Sequence, residues 1–356
     1  MKSQYTLTEL AQQLESRAKE KADFVISTKD ISMDDNAQVN FGAAFPNAPG
    51  ALRTFNPNEI MHQQVALHTE IPQKYYNRML ETPSGRELLA ENVNHWLHTQ
   101  PKNRMVRTIG NTARAFLSDK FLRIDNEQIA EQVLPVLMEA GAQVRSTAIT
   151  EKRMYIKAVL FEMQLEVKKG DVVCAGVSIS NSEVGMGAVN ISPFIERLVC
   201  TNGMVRNDSK FSARHVGGRV SQGEEIYALL SREAIQADDR AILLKVRDVV
   251  RASFDQVRFE TYVNNMREAT EQRIEGDPVE AVKLLSKQNQ FNEFEQGSVL
   301  RHLIEGGDLS RWGLLNAVTR TAQDVAEYDR SHELETLGGD MLVMPQQQWT
   351  ALAKAA

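Results

Sequence analysis

The sequence predicts an α+β protein in which an antiparallel β-meander, covering residues from about 104 to 204, is flanked by N- and C-terminal helices. Residues 145–204 are rich in Val, Ile, Thr, Tyr and Phe, in short runs interrupted by Gly, Asn, Asp and Lys. Such runs are typical of antiparallel strands joined by tight turns. On either side of this stretch, apolar residues recur at the three- and four-residue spacing of amphipathic helices.

The first of three predicted regions, residues 1–100, is mostly helical. Leu7, Leu10 and Leu14 mark one face of a first helix. Residues 31–57 are rich in Asn, Pro, Gly and Ala, which favours an irregular arm. A helical stretch from Glu59 to Leu97 follows, with interruptions near the prolines at positions 72 and 83.

The second region, residues 101–275, holds the sheet and a long helix. Residues 104–124 alternate around a turn at Gly110-Asn111 and join the predicted sheet. Asp125 caps a helix that reaches Ala140, and the meander follows. A helical tract opens at Ser221, which completes a β-β-β-α-like core. The third region, residues 276–356, is helical.

The composition predicts a cytoplasmic protein. Apolar residues make up 42% and charged residues 25% of the 356-residue chain, which is ordinary for a globular protein. No run of about 18 apolar residues predicts a membrane span. The two cysteines, Cys174 and Cys200, lie in apolar strand settings that favour reduced thiols.

The positive charge is concentrated in the middle of the chain. The protein has a net charge of −6, yet residues 101–220 carry 17 Lys and Arg against 12 Asp and Glu. A basic segment in an acidic chain indicates a polyanionic partner. Cations that grip phosphates, with flat rings for bases, are what single-stranded nucleic acid requires.

We therefore predict a nucleic-acid-binding surface without metal, cofactor or catalytic residues. Its residues are Arg104, Arg107, Lys120, Arg123, Lys152, Arg153, Lys157, Arg206, Lys210, Arg214, Tyr155 and Phe211. The opposing interpretation is that carboxylates of the acidic helical segments pair with these cations and that the rings belong to the core.

Two other classes of function stay open. Glu166-Val167-Lys168 resembles the carboxylate-x-Lys of metal-dependent nucleases, with Glu151 as the nearest second carboxylate. Glu166 and Lys168 also suit a solvent-facing position beside a turn. In a structural or host-defence-related self-assembling protein, the acidic C-terminal helices would form the binding face. The sequence has no G-x-x-x-x-G-K-[ST] loop and no G-x-S-x-G elbow.

Several longer motifs carry a family resemblance. They are Arg114-Ala-Phe-Leu-Ser-Asp-Lys-Phe121, Ser180-Asn-Ser-Glu-Val-Gly185, Leu198-Val-Cys-Thr-Asn-Gly203 and Arg311-Trp-Gly-Leu-Leu-Asn-Ala-Val-Thr-Arg-Thr-Ala-Gln-Asp324. The chain resembles, over about Arg104 to Gly339, the phage/plasmid-like proteins grouped as domain of unknown function 932. This resemblance implies an intracellular role in a bacterium that carries phage or plasmid DNA, and it supplies no activity.

The order of elements has a second, fold-level likeness. A meander followed by a long helix is similar to the core of phage single-strand annealing proteins of the Red-beta and Erf kind. This likeness implies an oligomer that binds single-stranded DNA in recombination and does not hydrolyse nucleotide. The expected partners are thus single-stranded DNA and further copies of the chain.

Overall fold

Two β-sheets organise the chain, and helices cover them. The computed structural model describes residues 3–41, 53–207, 211–213 and 232–355. The helices are α1 (Leu7–Glu20), α2 (Glu59–His68), α3 (Gln73–Glu81), α4 (Arg86–Thr99), α5 (Asn126–Glu139), α6 (Arg232–Ala252), α7 (Gln256–Glu271), α8 (Pro278–Asn289), α9 (Glu293–Gly306), α10 (Arg311–Asp324), α11 (Tyr328–Leu342) and α12 (Gln346–Ala353). The strands are β1 (Lys21–Ser27), β2 (Ile31–Met33), β3 (Val39–Phe41), β4 (Arg53–Pro57), β5 (Asn103–Ile109), β6 (Thr112–Ser118), β7 (Gln143–Ile149), β8 (Met154–Lys168), β9 (Asp171–Asn181), β10 (Val189–Arg197), β11 (Asn202–Val205) and β12 (Phe211–Ala213).

The first sheet joins segments that are distant in sequence. Its strand order is β1-β5-β6-β4-β3-β2, with β4 and β6 parallel and the other pairs antiparallel. The buried residues of α2, α3 and α4 form one apolar cluster with this sheet. The rings of Phe41 and Phe55 stack within that cluster, with their centroids 4.8 Å apart.

The second sheet is the antiparallel meander. Its strands follow the order β11-β10-β9-β8-β7, and β12 also pairs with β10. Gly170, with a φ of +79°, makes the tight turn between β8 and β9, where a side chain would be strained. Because strand residues alternate between faces, each meander strand presents two different sets of side chains.

One face of the meander is apolar over β8, β9 and β10. Ile156, Val177, Ile179 and Ile191 pack here with buried residues of α1, α5 and α6. Asp125 begins α5 with a capping box that includes Gln128. The far ends of β9, β10 and β11 contribute to a separate apolar cluster with helices α7 to α12.

The α+β class is confirmed, with one difference in strand placement. The predicted sheet began near residue 104, but β5 and β6 pair with N-terminal strands and not with the meander. The reason is that β1, which lies in the region predicted to be mostly helical, supplies the complementary edge. Parts of the predicted irregular arm are also strands, namely β2, β3 and β4, because they pair with one another and, through β4, with β6.

The helical tract after the meander is partly described. Its predicted start at Ser221 lies outside the described residues. Helix α6 continues through Ala237-Asp238-Asp239 without interruption. Among the helices that the structure describes, none is both long enough and apolar enough to cross a membrane.

Candidate functional site

A polar cleft lies on the other face of the meander. Its floor consists of Ser178 and Ser180 from β9 and Asn190 and Ser192 from β10, so we call it the serine cleft. These residues alternate with the apolar-face residues of the same strands, and the three serines are almost completely buried. The cleft has a volume of about 580 Å³. That is within the usual range for small-ligand sites, roughly 300–1,000 Å³.

Helix α11 forms the opposite wall of the serine cleft. Asp329, His332, Glu333, Thr336 and Asp340 follow one another at helical spacing along the side that faces the sheet. Gly339 permits the close approach, because a Cβ there would lie 1.9 Å from the carbonyl oxygen of Val205 on β11. A single helix face thus supplies carboxylate, hydroxyl and imidazole groups to the cleft.

A hydrogen bond holds the Tyr155 ring of β8 against this wall. The Tyr155 hydroxyl donates to Asp329 Oδ1 over 2.7 Å, and the Tyr155 ring lies 4.7 Å from the His332 ring. Burial, together with Lys157 and Arg153, holds the pKa of His332 well below its usual value. His332 is therefore a neutral imidazole at pH 7, and its buried Nδ1 has no hydrogen-bond partner among the described residues.

A buried ion pair lies beside the floor of the cleft. The ammonium of Lys157 pairs with the Glu335 carboxylate, and both side chains are nearly inaccessible. Burial alone disfavours the ammonium, but Glu335 and the Tyr328 hydroxyl outweigh it and raise the pKa of Lys157. Tyr328 also hydrogen-bonds Ser146 across 2.5 Å, which ties α11 to β7.

The mouth of the cleft carries cations from the turn before β8. Lys152 is exposed, and no carboxylate of the described residues lies within ion-pair distance of it. Arg153 donates from Nη2 to the carbonyl oxygen of Met186 over 2.5 Å. On the far side, Arg330 is engaged by Glu295 at 2.7 Å and by Glu333 at 2.8 Å. Lys152 and Arg153 are thus the mouth cations that no carboxylate of the described residues pairs with.

The loop that follows β9 fixes one side of this mouth. Glu183 ion-pairs with Lys21 and, at 2.6 Å, with Arg114, and it accepts the backbone N–H of Asn126 over 2.8 Å. Burial opposes ionisation, but these partners lower the pKa of Glu183 to about 2. The loop is thereby tied to the first sheet and to α5, so the Asn181-Ser182-Glu183 segment positions Met186 at the cleft.

The predicted nucleic-acid residues do not gather on one surface. Arg107 is fully buried between Asp23 at 2.8 Å and Asp125 at 2.5 Å, and Lys157 is buried as described above. Arg206 is also fully buried, with its guanidinium carbon 4.6 Å from the centre of the Tyr262 ring. These three assignments are wrong for a surface contact, because helices and N-terminal strands bring partners that enclose the cations.

The remaining predicted positions are divided between the sheets. Arg104 lies on β5 over the Phe116 ring at 4.9 Å, and Arg123 is half-exposed with Asp23 3.8 Å away. The half-buried Lys120 follows β6. Phe211 is partly buried and packs against the apolar cluster that includes α6. Lys210 and Arg214 lie outside the described residues. Lys152, Arg153 and Tyr155 are the predicted residues that meet, at the serine cleft.

The nuclease pair is not assembled. Glu151 and Glu166 lie near opposite ends of the 15-residue strand β8, so they are separated by a distance on the order of 40 Å. Glu166 accepts the Gly170 N–H and Lys168 pairs with Asp308 at 2.7 Å, as a solvent-facing turn would require. Within the described ranges, no group of three His, Cys, Asp or Glu side chains could hold a metal ion.

The cleft contains residues that the charge-based prediction missed. Ser178, Ser192 and His332 carry no net charge, so a search for basic residues passes over them. A signal was nevertheless present in Val177-Ser178-Ile179-Ser180, where hydroxyl residues alternate with β-branched ones. Such alternation indicates a strand with one apolar and one polar face.

Comparison with known families addresses the same part of the chain. The sequence model of the family described as "Domain of unknown function (DUF932)" matches residues 115–354. The chain belongs to the DUF932 family. The matched range of this DUF932 protein contains every residue that lines the serine cleft. No curated protein and no solved structure matches the DUF932 chain.

Proposed function

We propose that this DUF932 protein binds single-stranded nucleic acid and that the serine cleft receives one unstacked nucleotide. The observation that carries the proposal is the combination of a neutral, hydrogen-bonding floor with rings on the wall and available cations at the mouth. Hydroxyl and amide groups suit the edges of a base or the hydroxyls of a sugar. The His332 ring and the partly buried Phe291 ring line the cleft and supply stacking surfaces that any base can use, whereas the Tyr155 ring is only 2% exposed.

The charges of the cleft specify how a strand would lie. Asp329 and Glu333 on the wall would repel phosphates, but each already accepts from a protein group, namely Tyr155 and Arg330. The backbone of the strand would follow Lys152 and Arg153 at the mouth, and the base would point inward. In this arrangement two cations contact phosphates, far fewer than the ten that the sequence predicted.

In the wider form of the proposal, the protein acts as a homo-oligomer in annealing or recombination of phage or plasmid DNA, without nucleotide hydrolysis. The basic excess of residues 101–220 and the order of the meander and the helical tract support it. The fold-level likeness to annealing proteins stays a hypothesis.

The test is titration of a labelled single-stranded oligonucleotide by fluorescence polarisation over a range of salt concentrations. Because each neutralised phosphate of a single strand contributes about −0.7 to the slope of log K against log salt, two contacts predict a slope of about −1.4. A surface formed by all ten predicted cations would give about −7.

Two variants locate the contact. Lys152→Glu should weaken binding and flatten the salt dependence, whereas Lys29→Glu, the same charge change at an exposed lysine of the N-terminal region, should leave both unchanged. Ser180→Leu fills the floor of the cleft and should weaken binding without altering the salt slope.

Other outcomes would replace the proposal. Loss of full-length oligonucleotide only when Mg²⁺ is added would favour the nuclease interpretation. Absence of binding to any nucleic acid, together with a discrete large assembly in light scattering, would favour the structural or host-defence interpretation.

A further inference from the structure

A second cavity, of about 420 Å³, lies between the β10–β11 turn and helices α9 and α10. Cys200 lines it, together with Arg197, Asn202 and Arg320, and we call it the thiol cavity. It is distinct from the serine cleft, because no residue lines both.

The Cys200 thiol lies next to a positive charge. Arg197 uses Nε and Nη2 to bind both carboxylate oxygens of Asp171, at 2.6 and 2.9 Å. Its remaining nitrogen, Nη1, lies 3.6 Å from Cys200 Sγ. This contact places the positive charge of the guanidinium beside the sulfur, whose thiolate form is the nucleophile in disulfide exchange. Asp171 is itself fixed by the Trp312 indole N–H at 3.0 Å, so the arginine is held in place.

A second guanidinium is available to a ligand. Arg320 donates from Nη1 to the Cys200 carbonyl oxygen over 2.6 Å and to Gln323 over 3.2 Å. No carboxylate among the described residues pairs with it. A cation without a counter-ion, beside a cavity, favours an anionic group of a bound molecule.

An unsatisfied acceptor also points to a ligand. Asn202 is 2% exposed, and its Nδ2 donates to Asn316 at 3.1 Å and to Thr319 at 2.6 Å. Its Oδ1 has no hydrogen-bond partner among the described residues. A buried acceptor without a donor is costly, so an N–H group entering the cavity would be favoured.

We propose that the thiol cavity binds small anionic peptide disulfides and that Cys200 exchanges with them. The Cys200 thiolate attacks one sulfur of the disulfide, a new S–S bond forms, the original S–S bond breaks, and the other half leaves as a thiolate. Cys200 is oxidised and the departing half is reduced. A carboxylate of the bound half pairs with Arg320, and an amide N–H reaches Asn202.

The other cysteine provides an internal control. Cys174 is fully buried in β9, and burial raises the pKa of its thiol to about 11. It should therefore stay reduced under conditions in which Cys200 reacts.

The experiment uses the reduced full-length protein and oxidised glutathione, with intact-mass and peptide mass spectrometry as readouts. We expect one glutathione, on Cys200, with the same modification in Cys174→Ser and none in Cys200→Ser. The rate of the native protein with each disulfide is divided by the rate of the urea-unfolded protein with the same disulfide. After this normalisation, Cys200 should react with oxidised glutathione faster than with cationic cystamine, by on the order of tenfold. Arg320→Gln should remove most of that preference and leave the rate with neutral hydroxyethyl disulfide unchanged.

Three results would overturn the proposal. One is a native protein that stays unmodified where the unfolded chain reacts. Another is equal normalised rates for the anionic and cationic disulfides. The third is an unchanged preference in Arg320→Gln.

Discussion

The two faces of the meander differ although they are formed by the same strands. On β9, Val177 and Ile179 pack against the cluster of α5 and α6, whereas Ser178 and Ser180 line a cleft under α11. Both faces are shielded from bulk water. Packing against helices accounts for the apolar face. Packing alone would permit apolar residues on the polar face as well. Polar residues on a covered face are therefore the stronger indication of a binding site.

The largest expected effect concerns the ion pair on the polar face. Lys157→Met leaves the Glu335 carboxylate buried without a cation, which should lower the free energy of unfolding by about 3–5 kcal/mol. Urea denaturation would measure it. The double variant Lys157→Met/Glu335→Leu should recover most of the loss, because no lone charge remains. Equal stabilities of the single and double variants would contradict a stabilising role for the charge pairing.

A matched pair of neighbours compares the faces directly. Ile179→Ala removes apolar contacts from a fully buried position and should cost about 3 kcal/mol in urea denaturation. Ser178→Ala should change stability by less than about 0.5 kcal/mol, because no protein partner of its hydroxyl is described. A cost for Ser178→Ala similar to that of Ile179→Ala would mean that the polar face is a packing surface after all.

The smallest effect is a pH dependence at the end of β9. The pKa of Glu183 is about 2 in the folded protein and has its ordinary value of 4.5 in the unfolded chain. Since the folded pKa is the lower one, the stabilisation is complete above pH 4.5 and is lost as the pH falls towards 2. Between pH 6 and pH 3.5 this carboxylate should account for about 1–2 kcal/mol of lost unfolding free energy. Glu183→Gln should lack that part of the pH dependence when both proteins are measured by urea denaturation.

The sequence was informative where interactions are local. Short runs of β-branched and aromatic residues interrupted by Gly, Asn, Asp and Lys predicted the meander, and Asp125 marked the start of α5. Arg107 shows the limit, because nothing near it in sequence reveals that Asp23, 84 residues earlier, would enclose its guanidinium. Likewise, the sequence around Lys157 predicts an exposed cation, because its partner Glu335 lies on a helix 178 residues later in the chain. Charge counts describe composition, and only the fold determines which charges remain at the surface.

The long-range pairing of the first sheet has a consequence for biosynthesis. Strand β1 finishes at Ser27, but its partner β5 starts only at Asn103. At translation rates of roughly 5–20 residues per second, the earlier strand waits on the order of ten seconds for its neighbour. During that interval its backbone donors and acceptors are open to wrong partners. The meander faces no such delay, since each of its strands emerges next to the one before it.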